Sequence, residues 1–195
     1  TADAGKPDYF VITPSSRTLR IDPVSTIAVA ANKKMILFIK GDLVIGSDNL
    51  DAALGQLITV AEGGFLAIIV DGKITIRPSV GTPLDKTIPP NAEFGINGDK
   101  HTKEANLEGI FIADGSITVE TNSLPDVSDK RFLGEGTFAT QSDIFLQRSF
   151  KRTAVDYSKT LSGYSPTEVF RHRPDLVFAT PREFQKTPTE YTEIR

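Results

Sequence analysis

The sequence predicts a mainly β protein, more specifically a degenerate right-handed parallel β-solenoid closed by a short C-terminal cap that contains helix. Three observations lead there. One phrase, an apolar run followed by a glycine beside a charged residue and then an alternating run, recurs along the chain. The apolar runs are short and bounded by turn residues, which is typical of buried strands. Long amphipathic helices, which a βαβ fold needs between its strands, do not appear.

The phrase occurs four times: MILFIKGDLVI at 35–45, LAIIVDGKITI at 66–76, EGIFIADGSITV at 108–119 and RFLGEGTFAT at 131–140. The copies align on four glycines separated by 31, 43 and 21 residues: Gly41, Gly72, Gly115 and Gly136. Such uneven spacing indicates a degenerate repeat with insertions. The alignment predicts two stacked apolar columns, one of Ile36, Leu66, Ile110 and Phe132, the other of Leu43, Ile74, Ile117 and Phe138.

An antiparallel β-sandwich is the competing architecture, because two copies contain Asp-Gly. Asp71-Gly72 and Asp114-Gly115 each stand between two apolar runs, and Asp-Gly in that setting is a strong signal for a two-residue hairpin. In a solenoid the same glycines lie at corners where a side chain does not fit. The apolar pattern alone does not separate the two architectures.

The remaining segments are taken in chain order. Weakly alternating, β-branched stretches at 9–13, 17–21 and 26–30 predict strands before the first copy. Segment 50–60 is ambiguous, because Gly55 weakens its helical spacing, and it predicts coil that ends in a strand. Segment 77–106 is rich in proline and glycine and predicts a long surface insertion.

The repeat pattern stops at about Arg148, which divides the chain into a solenoid-like domain at 1–148 and a C-terminal cap or extension at 149–195. The run Ser165-Pro-Thr-Glu168 is a capping box and predicts a short helix that ends at Pro174. A second short helix at 181–186 and a last strand at 191–194 complete the tail. Open solenoid ends need a cap, so the tail is expected to fold over the last coil and bury Phe170 and Phe178.

Composition excludes several classes of function. The formal charge is −3 from 22 basic and 25 acidic residues, and no basic cluster exceeds two neighbours, so we expect no nucleic-acid partner. The chain has no cysteine, which excludes disulfides and thiolate chemistry. Its apolar runs are too short for a membrane-spanning helix. The chain opens abruptly at Thr1, as a mature or excised fragment would, so the missing signal peptide does not argue against export.

Candidate site residues are few. If the copies stack, Asp71 and Asp114 lie on neighbouring coils about 4.8 Å apart and are candidate ligands for a Ca²⁺ ion. The same pair is a candidate acid and base acting on a polysaccharide, and the simpler interpretation is turn chemistry, because aspartate commonly precedes glycine in turns. His101 and His172 lack the ligand spacing of a zinc site and are expected at the surface. We therefore predict no catalytic residue and no cofactor.

The series FIKGDLVI, LAIIVDGKITI, LEGIFIADGSITV and FLGEGTFATQSDIFLQR resembles the C-terminal region of large bacterial surface or secreted proteins. The tail SPTEVFRHRPDLVFATPREF, ending in YTEIR, is similar to the close of that group, and the resemblance covers about 35–195. It implies a β-solenoid-like stalk or appendage module without a catalytic set, and it carries over no functional residue.

The function expected from these observations is a non-catalytic structural or interaction module of an extracellular bacterial surface assembly, such as a stalk, an appendage or an adhesin-like part. Its partners would be other protein subunits of that assembly, and its location extracellular or on the cell surface. A carbohydrate-binding or carbohydrate-active β-helix, with a glycan as partner, is one alternative. A phage or virus fibre segment is the other, which trimers in solution would favour.

Overall fold

A computed structural model describes residues 6–22, 24–47, 55–83, 105–123, 129–149 and 167–181. Within these ranges the chain is built almost entirely of short strands. The strands are β1 (Asp8–Ile12), β2 (Thr18–Ile21), β3 (Ile27–Val29), β4 (Lys34–Ile39), β5 (Asp42–Ile45), β6 (Ile58–Val60), β7 (Phe65–Val70), β8 (Ile74–Ile76), β9 (Leu107–Ala113), β10 (Ile117–Val119), β11 (Phe132–Thr140), β12 (Ile144–Leu146) and β13 (Glu168–Arg171). One short helix, α1 (Pro174–Ala179), follows β13.

The strands form two sheets with matching orders. The larger sheet runs β1-β4-β7-β9-β11-β13, and the smaller runs β2-β5-β8-β10-β12. In the larger sheet β6 also pairs with β9, and β3 pairs with β6. The ladders between these strands are parallel throughout. The prediction of a mainly β fold with parallel pairing is therefore confirmed.

Five successive passes of the chain contribute one strand to each sheet: β1–β2, β4–β5, β7–β8, β9–β10 and β11–β12. The antiparallel sandwich is wrong, because the two limbs of each phrase do not pair with each other. β7 pairs with β4 and β9, whereas β8 pairs with β5 and β10. A type I′ hairpin needs positive φ at its central residues, and positive φ is found at neither Gly72 nor Gly115. These glycines instead mark the corner between the sheets.

The alignment of the first three copies is confirmed, and that of the fourth is wrong. Leu43, Ile74 and Ile117 lie in register as predicted, but the next member of their column is Ile144 and not Phe138. Gly136 pairs with Gly109 inside the larger sheet and is not a corner residue.

The other predicted column, in the larger sheet, is wrong at two of its members. Ile36 pairs with Ala67, and Ala67 with Ile110, so Leu66 lies one residue out of register. Ile110 pairs in turn with Thr137, so Phe132 does not continue the column either. A shift of one residue places a side chain on the opposite face of a sheet, and Leu66 indeed belongs to the main core.

The main core lies between the two sheets and is filled by the inward side chains of all five passes. Its fully buried members include Ile39, Leu43, Ile68, Ile74 and Phe111. A second, smaller cluster of Ile36, Phe65 and Ala67 lies on the opposite face of the larger sheet, where Ala179 of α1 packs against it. Both faces of the central strands are thus buried, which explains their nearly continuous apolar sequence.

The segment that follows β8 is not a surface insertion where it is described. Ser79 and Val80 are both fully buried, and Thr82 forms an isolated antiparallel bridge with Arg131. The seryl hydroxyl oxygen of Ser79 accepts a hydrogen bond from the backbone N–H of Ser47 at 2.9 Å. Residues 84–104, the greater part of the predicted insertion, lie outside the described residues.

The C-terminal segment differs from its prediction in its secondary structure. The predicted helix after Ser165 is instead strand β13, which pairs with the first half of β11. The Glu168 carboxylate, expected to cap its own helix, accepts a hydrogen bond from the backbone N–H of Arg148 at 2.7 Å. Pro174 begins helix α1 rather than ending one. Proline is tolerated there because the N–H groups of the first helical turn have no hydrogen-bond partner within the helix.

The expected burial is wrong for both tail phenylalanines, most clearly for Phe178. Leu176 is the helix residue turned into the core, with 2% exposure, while Phe178 is 86% exposed, since residues two apart lie on different faces of a helix. The Phe170 ring does contact the rings of Phe132 and Phe138, at centroid distances of 5.6 and 5.1 Å. It nevertheless stays 41% exposed. The predicted elements at 181–186 and 191–194 fall almost wholly outside the described residues.

Candidate functional site

The two aspartates proposed as cation ligands are brought together as predicted. The register of β7 and β9 places Asp71 and Asp114 at the same position on neighbouring passes. Asp71 Oδ1 accepts the backbone N–H of Gly41 at 2.5 Å, and Asp114 Oδ1 accepts the side-chain amide of Gln141 at 3.4 Å.

Calcium takes six to eight oxygen ligands, and no third acidic or histidine side chain joins this pair in a metal-sized group among the described residues. The Asp71 carboxylate instead ties its corner to the preceding pass. Asp42 does the same in the other direction, because its Oδ1 accepts the backbone N–H of Lys73 at 3.0 Å. This geometry favours the turn interpretation, and cation binding stays a prediction.

A polar groove lies where successive passes leave the smaller sheet. The carboxyl ends of parallel strands meet along one edge, so the residues that follow β5, β8, β10 and β12 lie side by side there. The groove has a volume of about 360 Å³ and is lined by Ser47, Arg77, Pro78, Glu120, Thr121, Asn122, Ser123 and Gln147. Four passes therefore contribute to one continuous polar surface.

Arg77 and Glu120 form an ion pair in this groove, with 3.1 Å between Nη1 and Oε2. Both side chains keep 29% of their surface exposed, so the pair remains accessible to a ligand. The opposite charges balance, and apart from Pro78 the other lining groups are amides and hydroxyls that both donate and accept hydrogen bonds. The groove suits an uncharged polar ligand with many hydroxyl groups.

Arg148 forms the floor beneath the groove and is only 6% exposed. Its guanidinium donates hydrogen bonds to four backbone carbonyl oxygens on three passes, at 2.5, 2.8, 2.9 and 3.2 Å, those of Val80, Arg77, Lys130 and Glu120. The guanidinium also lies 5.6 Å from the centroid of the Phe132 ring. Burial lowers the pKa of Arg148 to about 10, against the opposite pull of Asp129, Glu168 and Glu120. The side chain therefore stays charged at neutral pH.

Asp129 is the second buried anchor of the floor, with 3% exposure. Its Oδ1 accepts the backbone and side-chain N–H groups of Asn122 at 2.7 and 2.9 Å. Its Oδ2 accepts the Thr121 hydroxyl and the Ser149 N–H, both at 2.7 Å. Charge-assisted bonds of this kind are the stronger ones, so the walls of the groove are held in place before any ligand arrives.

A second cluster of charges fastens the C-terminal segment to the side of the larger sheet. Arg173 Nη1 lies 3.0 Å from Glu108 Oε2 and 3.8 Å from Glu135 Oε2, and its Nη2 lies 2.6 Å from Asp175 Oδ2. Arg171 forms a further ion pair with Glu135. The hydrogen bond from Arg173 lowers the pKa of the Asp175 carboxyl below its usual value. His172, between the two arginines, is exposed as predicted, and His101 lies outside the described residues.

The amino-terminal end of the stack carries an apolar groove of about 500 Å³. It is lined by Phe10, Val11, Ile12, Thr26, Ile27, Ala28, Met35 and Leu37. Three residues of β1, the edge strand there, are large and apolar yet exposed: Tyr9 by 51%, Phe10 by 46% and Val11 by 63%. Exposed apolar side chains of this kind make the groove a candidate interaction surface.

The sequence indicated that Asp71 and Asp114 lie together but did not indicate the polar groove. A signal was present, because a polar residue directly follows three of the apolar runs of the smaller sheet: Arg77 after β8, Glu120 after β10 and Gln147 after β12. These positions read as ordinary turn residues until the register of the strands places them side by side. The buried arginine had no signal at all, because its partners lie up to 71 residues away.

Comparisons with family models, curated proteins and solved structures gave no match. In the part of the chain that the structure describes, no helix has the length and apolar character needed to span a membrane.

Proposed function

We propose that this chain is a non-catalytic structural or interaction module of an extracellular bacterial surface assembly, built as a degenerate right-handed parallel β-solenoid. One observation carries the proposal: five passes keep the same parallel register in two sheets. Each pass therefore stacks on the one before it. Parallel crossovers are right-handed in nearly all proteins, which supports the proposed hand. Stacked passes of this kind give long, stiff surfaces suited to assembly.

The use of the acidic side chains supports the non-catalytic part of the proposal. Asp71, Asp129 and Glu108 each accept at least one backbone N–H at 2.5 to 2.8 Å. Carboxylates bonded in this way hold neighbouring passes together, and a general acid or base must instead be able to reach a substrate proton. The resemblance of the repeated phrases to surface and secreted proteins supports the extracellular location.

Antibody labelling of the bacterium that produces the chain tests this proposal. Antibodies raised against the purified chain are applied to intact cells, to permeabilised cells and to the culture medium. The proposal expects signal on intact cells or in the medium. Signal that appears only after permeabilisation overturns the surface location, and turnover of any polysaccharide by the purified chain overturns the non-catalytic role.

Glycan binding is a second candidate function, favoured by the polar groove. Strands in a ladder lie about 4.8 Å apart, so a groove that crosses four passes is long enough for several sugar units. Its balanced ion pair and its amides and hydroxyls fit a neutral saccharide, and Pro78 offers an apolar surface to a sugar ring.

A soluble-glycan array followed by calorimetry tests the second candidate. The variants Arg77→Gln and Gln147→Ala change the lining without touching the Asp129 floor, and Arg20→Gln, outside the groove, is the matched control. If the groove binds the glycan, the first two weaken binding by about tenfold or more, which corresponds to about 1.4 kcal/mol. Equal affinity in all three variants, or no glycan bound at all, refutes this candidate.

A further inference from the structure

The two ends of the smaller sheet expose strand edges of complementary character. β2 and β12 are its outermost strands, so each has an edge beside which no strand lies among the described residues. The apolar side chains of β12 are exposed, Ile144 by 43%, Phe145 by 46% and Leu146 by 52%. A parallel edge with apolar side chains is a template for pairing with another chain.

The same apolar columns reach both ends. One column runs through Leu19, Leu43, Ile74, Ile117 and Ile144, and the other through Ile21, Ile45, Ile76, Val119 and Leu146. If β12 of one molecule pairs in parallel with β2 of another, both columns continue unbroken across the junction. Leu19 then meets Ile144 and Ile21 meets Leu146.

Charge complementarity favours this pairing over pairing between identical ends. Residues 17–21 carry Arg17 and Arg20 and no acid, whereas residues 141–147 carry Asp143 and no base. In the register that continues the columns, Arg20 lies opposite Phe145, where a cation over an aromatic ring is attractive. Asp143 comes within reach of Arg17. Two amino-terminal ends brought together would place arginines against arginines.

In the larger sheet, an exposed aromatic ring at one end of the molecule matches an apolar groove at the other end. The groove of about 500 Å³ opens at the amino-terminal end beside Ile27. Phe170, 41% exposed at the other end, belongs to the same ladder position as Ile27, through Ile58, Leu107 and Gly134. The register that joins β12 to β2 therefore also brings the exposed Phe170 ring toward the groove.

We propose that the partner of these ends is a second copy of this chain, docked head to tail so that β12 of one molecule extends the smaller sheet of the next through β2. The inference rests on the stacked architecture of the proposed function. A head-to-tail contact between translated copies does not close on itself, so the product is an open-ended row of molecules. The chain then forms a longer fibre of the surface assembly from identical units.

Cysteine pairing tests the contact directly, because the chain contains no cysteine of its own. Arg20→Cys and Phe145→Cys are made as separate proteins and mixed under mild oxidation. Partners in a ladder lie about 4.8 Å apart, within the range of about 4.4–6.8 Å between Cα atoms that a disulfide requires. A 20–145 mixed disulfide should form several-fold faster than the control disulfide between Lys73→Cys, at an exposed corner in mid-stack, and Phe145→Cys. Equal rates overturn the proposal, as does preferential formation of 20–20 or 145–145 dimers.

Sedimentation velocity of the unmodified chain gives a second measurement. We expect the mean mass to rise with concentration between micromolar and millimolar, to return to monomer in Phe145→Arg, and to rise again when Phe145→Arg is mixed with Arg20→Glu. A chain that stays monomeric throughout overturns the docking and leaves the surface location intact. Labelling confined to permeabilised cells overturns the surface location and leaves the docking intact.

Discussion

The corner glycines give the sharpest test of how the passes stack. A Cβ atom built on Gly72 lies 2.4 Å from Asp42 Oδ1 and 2.6 Å from the carbonyl oxygen of Gly41 on the preceding pass. The aspartate can rotate, but the carbonyl belongs to a backbone fixed by ladders on both sides. Gly72→Ala must therefore shift one pass against another, and overpacking of this kind costs about 1–3 kcal/mol. For a chain of this length the melting temperature should fall by about 2–12 °C.

Two other glycines provide a graded comparison. At Gly115 the nearest backbone atom, the carbonyl oxygen of Gly72, lies 3.0 Å from the added Cβ, and at Gly55 nothing lies within 4 Å. Gly115→Ala should therefore destabilise less than Gly72→Ala. Gly55→Ala should stabilise by about 0.4–1 kcal/mol, because alanine has fewer conformations to lose on folding. Valine at either corner glycine should cost a few kcal/mol.

Urea unfolding followed by circular dichroism measures the series. The three alanine variants should unfold at different urea midpoints. The slope of the unfolding free energy against urea concentration should be the same for all three, which indicates that only stability changes. The reasoning fails if Gly72→Ala and Gly55→Ala unfold at the same urea concentration, or if Gly115→Ala is the more damaging corner variant. Either result would mean that the corners do not stack as the structure places them.

Two further predictions concern the charged groups. Arg148→Met leaves four buried carbonyl oxygens without their hydrogen-bond donor and should lower the free energy of unfolding by about 3–5 kcal/mol. The control Lys40→Met, at an exposed corner, should change it by under about 0.5 kcal/mol. Similar urea midpoints for the two variants would contradict the role of the arginine. Arg173 lowers the pKa of the Asp175 carboxyl. The ionised carboxyl therefore adds to the stability of the C-terminal segment above the ordinary aspartate pKa of about 4, and this stability is lost as the pH falls below that value. Amides of 167–181 should then exchange hydrogen faster relative to the core at acidic pH, and Asp175→Asn should show the same loss at neutral pH; unchanged protection in that variant would contradict it.

Local pattern was sufficient for most strands and for three of the four corners. The runs around Gly41, Gly72 and Gly115 are apolar on both faces and end at turn residues, so their limits were predicted within one or two residues. Aligning the glycines gave the register of the smaller sheet, where Leu43, Ile74 and Ile117 keep a fixed distance from their corners. In the larger sheet Leu66 was placed one residue out of register. The mainly β class and the parallel pairing of the strands could therefore be read from the sequence.

The fourth corner could not be predicted, because its glycine has another role. Gly136 has a φ of 129° and pairs with Gly109, whose φ is 134°. Both lie inside long strands, where a side chain on Gly136 would collide with the backbone of Gly109. A glycine with positive φ inside a strand and a glycine at a corner between strands can have the same local sequence, a glycine between apolar runs. Only the pairing partner distinguishes them, and that partner is remote in sequence.

The candidate sites were hidden for the same reason. The polar groove takes its lining from the ends of four strands, and its floor depends on an arginine whose carbonyl partners lie 18 to 71 residues away. The C-terminal segment was mispredicted because Ser165 and Glu168 satisfy the local rule for a helix start. The free edge of β11 offers the segment four ladder positions, and this tertiary pairing outweighs a local capping preference.

The corner glycines also show how one pass constrains the next. The added Cβ of Gly115 meets the carbonyl of Gly72, that of Gly72 meets the carbonyl of Gly41, and that of Gly41 meets the carbonyl of Arg17. Each glycine is therefore required by the backbone of its neighbour, and at Gly72 and Gly115 not by a positive φ of its own. Substitutions in adjacent passes of the column should couple, because a shift that makes room for one side chain also moves the carbonyl that meets the next. Such coupling would carry the effect of a substitution at one corner glycine to the neighbouring pass.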